Sequence, residues 1–294
     1  MPPTLTVPTP DGRSLDVWLA GPTDGTPFLY HSGTPGNGMP YAWHLDRLAE
    51  RGMRYISITR PGYGSSSRHE GRRVADVAAD VRTVLDYLGI DRVYVGGWSG
   101  GGPHAMATAA LLPERVLGTA IIAGVAPYPA DGLDWLAGMG EENVAEFGAT
   151  LEGGERLRVI VEPQAAGMKA VTPEEVAAAF GDLIDEVDRG ALDDPGLASY
   201  MADLLHEAFR VGYWGWFDDD IAFTRPWGFD LAAISGRVHI WQGGHDRMVP
   251  FAHGQWLAAH CGGACVHLDP AQGHLSLVRD RFGDILDELL QPRS

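Results

Sequence analysis

Residues 93–105 read VYVGGWSGGGPHA. Five glycines crowd around one serine, Ser99, directly after a short β-branched and aromatic run. Backbone freedom of that kind serves one of two ends. It lets a nucleotide phosphate approach the main chain, or it permits a strained turn that pushes the serine out as a nucleophile.

The phosphate reading fails downstream of the serine. Gly100-Gly101-Gly102-Pro103-His104-Ala105 fits G-x-G-x-x-G/A, but that fingerprint needs its glycines in the turn itself and a carboxylate about 20 positions on. Ala120, Ile121 and Ile122 occupy that region, and no carboxylate appears between them and Asp131. The nucleophile reading fits better. Gly97-Trp98-Ser99-Gly100-Gly101 is G-x-S-x-G between an expected strand and an expected helix. Side chains two positions either side of the serine would collide with the neighbouring strand and helix. The Gly100 N–H would point to where an oxyanion forms. Pro103 falls in the first helical turn, where a missing N–H costs nothing.

On both sides of this turn, strand and helix patterns alternate. Strands are expected over 5–7, 15–20, 28–31, 54–59, 93–95 and 117–123, with helices over 41–51, 74–88 and from the serine turn to 112. In the second of these helices Val74, Val77, Ala78, Val81, Val84, Leu85 and Leu88 recur at helical spacing, and Gly89 closes it. After Ala126 the character changes: residues 128–225 are acidic and helix-rich, with no clear strand. Alternation resumes with strands over 238–241 and 264–268 and helices over 251–261 and 278–290. The pattern predicts an α/β fold: a mostly parallel central sheet flanked by helices. Its core is expected from residues 1–127 and 226–294, interrupted by a helical insert over 128–225.

Composition narrows the partners. The net charge is −17, which argues against nucleic acid and anionic membranes, since both need a basic face. Residues 128–225 hold 21 Asp and Glu against 6 Arg and Lys, a net of −15. Such a surplus reads first as solubility, and second as a surface that attracts an amine. Lys169 is the only lysine, which removes a P-loop and disfavours a Schiff base. No apolar run is long enough to span a membrane, and the N-terminal stretch lacks the pattern of a secretory signal. Cys261 and Cys265 read as reduced thiols, so a cytoplasmic setting is expected. No metal-ligand spacing is legible: His206-Glu207 lacks the second histidine of a zinc helix. No cofactor is expected.

A serine hydroxyl needs a base, and the base needs an orienting group. Two glycine-rich loops follow later strands. Gln242-Gly243-Gly244-His245-Asp246 delivers Asp246, and Asp269-Pro270-Ala271-Gln272-Gly273-His274 delivers His274 from a loop. Parallel strands bring such loops to one rim of the sheet. Asp131 and Asp134 are the alternatives to Asp246, and His245 is a further candidate to line the site. His267 alternates within a strand and reads as structural.

Five stretches in this order, HSGTPG (31–36), RPGYGSS (60–66), GWSGG (97–101), GGHDRMVP (243–250) and GH (273–274), make the chain resemble the α/β-hydrolase family over nearly its whole length. The resemblance implies Ser99 as nucleophile, His274 as base and Asp246 as acid, with an oxyanion hole from the Gly100 N–H and a residue of the 31–36 loop. Gly33 and Thr34 both remain possible there; Thr34 directly precedes the PG and is preferred. The family inserts a helical cap where this chain has its acidic segment. Trp98 and His31 beside the loops, and Trp214, Trp216 and Phe217 in the insert, are the expected substrate contacts. A serine nucleophile argues against the dehalogenase and epoxide-hydrolase branches, which resemble this family but use aspartate. The expected substrate is a small or medium apolar carboxylic ester. The alternatives are an aminopeptidase of the proline iminopeptidase kind, whose cap carboxylates hold an amine, and a non-catalytic binding protein on the same fold.

Overall fold

The computed structural model describes residues 3–291. The described residues form eight strands: β1 (Leu5–Pro8), β2 (Ser14–Ala20), β3 (Thr26–His31), β4 (Met53–Ile58), β5 (Val93–Trp98), β6 (Val116–Ile122), β7 (Val238–Gly243) and β8 (Cys265–Asp269). They form one sheet in the order β1-β2-β4-β3-β5-β6-β7-β8. β1 pairs with β2 and β2 with β4 antiparallel; every later pairing is parallel. The central strands are near-continuous apolar runs because helices cover both faces, whereas β8, at the edge, exposes Cys265 and Val266.

The helices around the sheet are α1 (Ala42–Ala49), α2 (Val77–Tyr87) and α3 (Gly101–Leu111), then, beyond β7, α10 (Phe251–His260) and α11 (His274–Leu290). Between β6 and β7 the described residues form no strand. They form α4 (Glu141–Glu152), α5 (Gly154–Met168), α6 (Val176–Ala179), α7 (Glu186–Leu192), α8 (Pro195–Ala208) and α9 (Trp214–Phe223).

Two expectations need correcting. The helix expected over 74–88 is split: Val74–Asp76 is a 3-10 turn, and α2 begins at Val77. The Ala75 N–H donates to the Trp227 carbonyl, a distant partner that pins the turn out of the helical ladder. The last helix begins four residues before its expected start, so His274 is the first residue of α11 and not a loop residue. Its capping group is Asp188 of α7, which accepts from the N–H groups of His274 (2.7 Å), Leu275 (3.0 Å) and Ser276 (2.9 Å). A cap borrowed from so far along the chain leaves no local signal.

Candidate active site

Ser99 follows the last residue of β5 and has φ of 57°, in the left-handed region that a non-glycine residue rarely adopts. The turn is anchored on both sides: Ser99 N–H donates to Ile122 O at 2.9 Å, and Gly102 N–H donates to Ser99 O at 2.8 Å. A Cβ on Gly97 would strike Gly101 O and Ala105, and one on Gly101 would strike His31 O. The flanking glycines are therefore required by close approach, as the turn motif predicts.

Asp246, beyond β7, is buried and fixed. Its Oδ1 accepts from the N–H groups of Met248 (2.9 Å) and Val249 (2.7 Å), and its Oδ2 from Gln242 Nε2 (3.1 Å). The same Oδ2 accepts from His274 Nδ1 at 2.7 Å. A carboxylate can only accept, so this bond places the proton on Nδ1 and leaves the Nε2 lone pair free. Burial disfavours the charged ring, but the Asp246 charge and hydrogen bond outweigh it, and the His274 pKa lies above its ordinary value of 6.5. Ser99 Oγ makes no hydrogen bond to the ring here; such bonds commonly tighten only when substrate is bound. The carboxyl partner of His274 is Asp246, not Asp131 or Asp134; the Asp131 carbonyl instead accepts from Trp256.

The loop after β3 is held by a buried ion cluster. Arg60 donates to the carbonyls of Ser32 (2.6 Å) and Gly33 (2.8 Å) and to Thr34 Oγ1 (2.9 Å). Asp219 of α9, fully buried, pairs with Arg60 and Arg72, each at 2.7 Å, and accepts from Tyr63 (2.9 Å) and Thr34 (2.8 Å). Burial would raise this carboxyl, but the two guanidiniums hold it far below the usual carboxylate range. Thr34 lies against Gly100, where any Cβ would strike its side chain. Among the described residues, neither the Gly100 nor the Thr34 N–H donates to another protein group.

Ser99, Gly100 and Thr34 line a cavity of about 320 Å³. Its walls are mainly apolar: Met139, Phe147, Met168 and Phe180 from the helical segment, with Met248 and Val249 from the Asp246 loop. Of the expected substrate contacts, Trp216 lines it and the others do not. Trp98 packs against His274, ring centroids 5.2 Å apart, and donates to its carbonyl at 3.3 Å. His31 is buried under the sheet against Thr108 of α3, at 3.1 Å. Trp214 lies beneath Arg68, 3.8 Å from ring centre to guanidinium, and Phe217 packs edge-on to Trp214. Gly33 is not in the wall; it faces Trp98 and Ser99. His245 is half-exposed and bonds Asp185 at 2.7 Å, away from the cavity. Helical phase explains the division along α9: only one of its faces can look into the cavity, and aromatic residues occupy the others as well.

The run Asp218-Asp219-Asp220 does more than its charge suggests. Successive α9 residues point about 100° apart, so each meets a different environment. Asp218 bridges Arg68 at 2.8 Å, and Asp219 holds the arginine cluster. Asp220 faces the cavity beside Glu146 of α4; both are buried in its wall. Glu146 accepts from Trp216 Nε1 at 2.7 Å, while Asp220 meets no donor among the described residues other than the neighbouring Glu146 carboxyl. Burial, with the neighbouring Glu146, pushes Asp220 well above the carboxylate range; burial likewise raises Glu146. Two carboxyls buried side by side thus each disfavour ionisation of the other. The insert's surplus acid is thus partly internal, which composition alone did not reveal. No helix of the described residues is long and apolar enough to cross a membrane.

Comparison with known proteins agrees with this architecture. A family model described as the alpha/beta hydrolase fold matches residues 26–280. A non-heme chloroperoxidase of Streptomyces lividans is 30% identical over 251 residues, 84% of each chain. An uncharacterized hydrolase of Bacillus subtilis, YcgS, is 35% identical over 106 residues, 36% of each chain. The chain covers 36% to 58% of the length of the first curated relatives it matches. Among solved structures, an esterase of Exiguobacterium antarcticum superposes with a TM-score of 0.69 at 21% identity, covering 98% of both chains.

Proposed function

The chain belongs to the alpha/beta hydrolase fold family, and from that premise we propose that it is a serine hydrolase cleaving a small or medium, largely apolar carboxylic ester. The observation that carries this reading is the buried Asp246–His274 hydrogen bond of 2.7 Å beside a cavity lined by Ser99. His274 Nε2 takes the Ser99 proton as Oγ attacks the carbonyl carbon. The N–H groups of Gly100 and Thr34 receive the developing oxyanion. His274 then protonates the leaving alcohol, and a water activated by the same nitrogen hydrolyses the acyl-enzyme. Residues 128–225 act in this reading as a cap over a core of 1–127 and 226–294.

Intact mass after treatment with a fluorophosphonate tests it. One adduct per chain, carried by Ser99, is expected. No adduct on the native protein moves the reading to a ligand-binding protein without turnover. The pH profile is a second check. The base must be neutral, and its pKa is raised from 6.5; kcat/KM is therefore expected to rise with pH through an inflection above 6.5. An inflection well below that value would remove His274 from the role.

The Asp220–Glu146 pair in the cavity wall favours a second reading. A substrate amine or ammonium would supply a donor to Asp220, with Glu146 beside it, as an aminopeptidase of the proline iminopeptidase kind requires. Asp220→Asn and Glu146→Gln are then expected to lower kcat/KM for an aminoacyl ester or amide roughly 10- to 100-fold, the range of a hydrogen bond to a charged group. Neutral esters of the same size should change far less. Equal losses on both substrate types would end the amine reading and leave the ester one standing.

A further inference from the structure

His239 is the second residue of β7, His267 the third of β8, and Glu288 lies near the end of α11. The register pairs His239 with Cys265 and Trp241 with His267, so both histidines share one face of the sheet. One ligand atom from each of His239, His267 and Glu288 lies within 4.8 Å of the others. The two rings are near-parallel, 5.8 Å apart, and Trp241 stacks on His267 at 3.8 Å.

The hydrogen bonding around these rings is anomalous. His239 is 1% exposed, yet neither of its ring nitrogens has a partner among the described residues, and His267 Nε2 has none either. Buried imidazoles are normally satisfied, and a group left without a partner calls for a ligand, an ion or a water. No carbonyl or hydroxyl of the described residues serves here. Among those residues the Glu288 carboxylate makes no ion pair with arginine, although α11 carries Arg279 and Arg281. Two imidazoles and one carboxylate, converging without other partners, are a donor set for a borderline divalent cation.

We propose that His239, His267 and Glu288 bind one zinc ion, with water in the fourth position. Tetrahedral zinc with bonds of about 2.0–2.1 Å needs its ligand atoms roughly 3.3 Å apart. Rotation of the partly exposed Glu288 and His267 side chains closes the difference. The site was invisible to motif reading because its ligands come from three elements, with no short spacing between them. It lies at the opposite end of β7 and α11 from Asp246 and His274, so its role is structural: it fastens the C-terminal end of α11 to the two outermost parallel strands. Arg237, which donates to the carbonyls of Leu289 and Gln291, already ties the same helix end to the start of β7.

The test is zinc titration of EDTA-treated, dialysed full-length protein against a chromophoric chelator. Cobalt substitution then reports coordination geometry by visible absorption. One equivalent of zinc is expected, with a tetrahedral cobalt spectrum and a zinc-dependent rise in melting temperature. His267→Gln and Glu288→Gln should each weaken zinc binding at least about tenfold and abolish the thermal shift. Glu288→Gln guards against misfolding, since this side chain makes no hydrogen bond among the described residues that the change would break. Cys265→Ser, next to the site on the same face, should leave affinity unchanged. Absence of stoichiometric binding, or binding equally tight in both ligand variants, overturns the proposal and leaves the histidines as neutral packing groups.

Discussion

Ser99→Ala is expected to lower kcat for an activated ester about a million-fold, the order found when a triad nucleophile is removed. The magnitude follows from what the hydroxyl does. Without it there is no acyl-enzyme, and His274 and the oxyanion donors can at most assist direct attack by water, leaving some 10³–10⁴-fold over the uncatalysed rate. Folding should be untouched, because the Ser99 turn is held through its main chain, at Ile122 and Gly102. Steady-state kinetics with a chromogenic short-chain ester, on protein freed of contaminating esterase, measures it. A loss of less than about a hundredfold would mean that another group attacks the substrate.

Asp219→Ala is expected to lower the unfolding free energy by about 3–5 kcal/mol, the usual penalty when one partner of a buried ion pair is removed. Asp219 is fully buried and is the shared counter-ion of Arg60 and Arg72, which are buried with it. Truncating it strands two guanidiniums in a medium that cannot solvate them. Denaturant unfolding should register the loss, and the melting temperature should fall by roughly 10 °C. Activity should fall too, since Arg60 holds the Ser32 and Gly33 carbonyls and the Thr34 hydroxyl. The double variant Arg60→Met/Asp219→Ala should recover part of the stability while leaving activity low. A cost under about 1 kcal/mol for Asp219→Ala alone would refute the buried-charge account.

Much of the site could be read from the chain because its chemistry is carried by local turns. Ser99, Asp246 and His274 each follow a strand, with glycine one or two positions before the residue, so short-range sterics announce them. The parallel sheet followed from the alternation of apolar runs for the same reason. What escaped was set by tertiary contact. Asp188 caps α11 from a different part of the chain, so the start of that helix was misplaced. Trp214, Trp216 and Phe217 are alike by composition, and only the docking of α9 decides that Trp216 meets the cavity. His31 ends a strand, and the pleat turns it towards α3 while Thr34 reaches the cavity three residues later. Asp218 and Asp219 count only as surplus acid by composition, because their arginine partners lie far away in sequence.

The Asp188 cap also bears on how the base is positioned. The first turn of α11 has three main-chain donors that only α7 satisfies. Without α7 that turn would lose its cap, and the imidazole at its head would be held by Asp246 alone. Positioning of the base therefore depends on α7 as well as on the Asp246 loop. In hydrogen exchange, the amides of His274, Leu275 and Ser276 should open together with α7, as one unit, ahead of the remainder of α11.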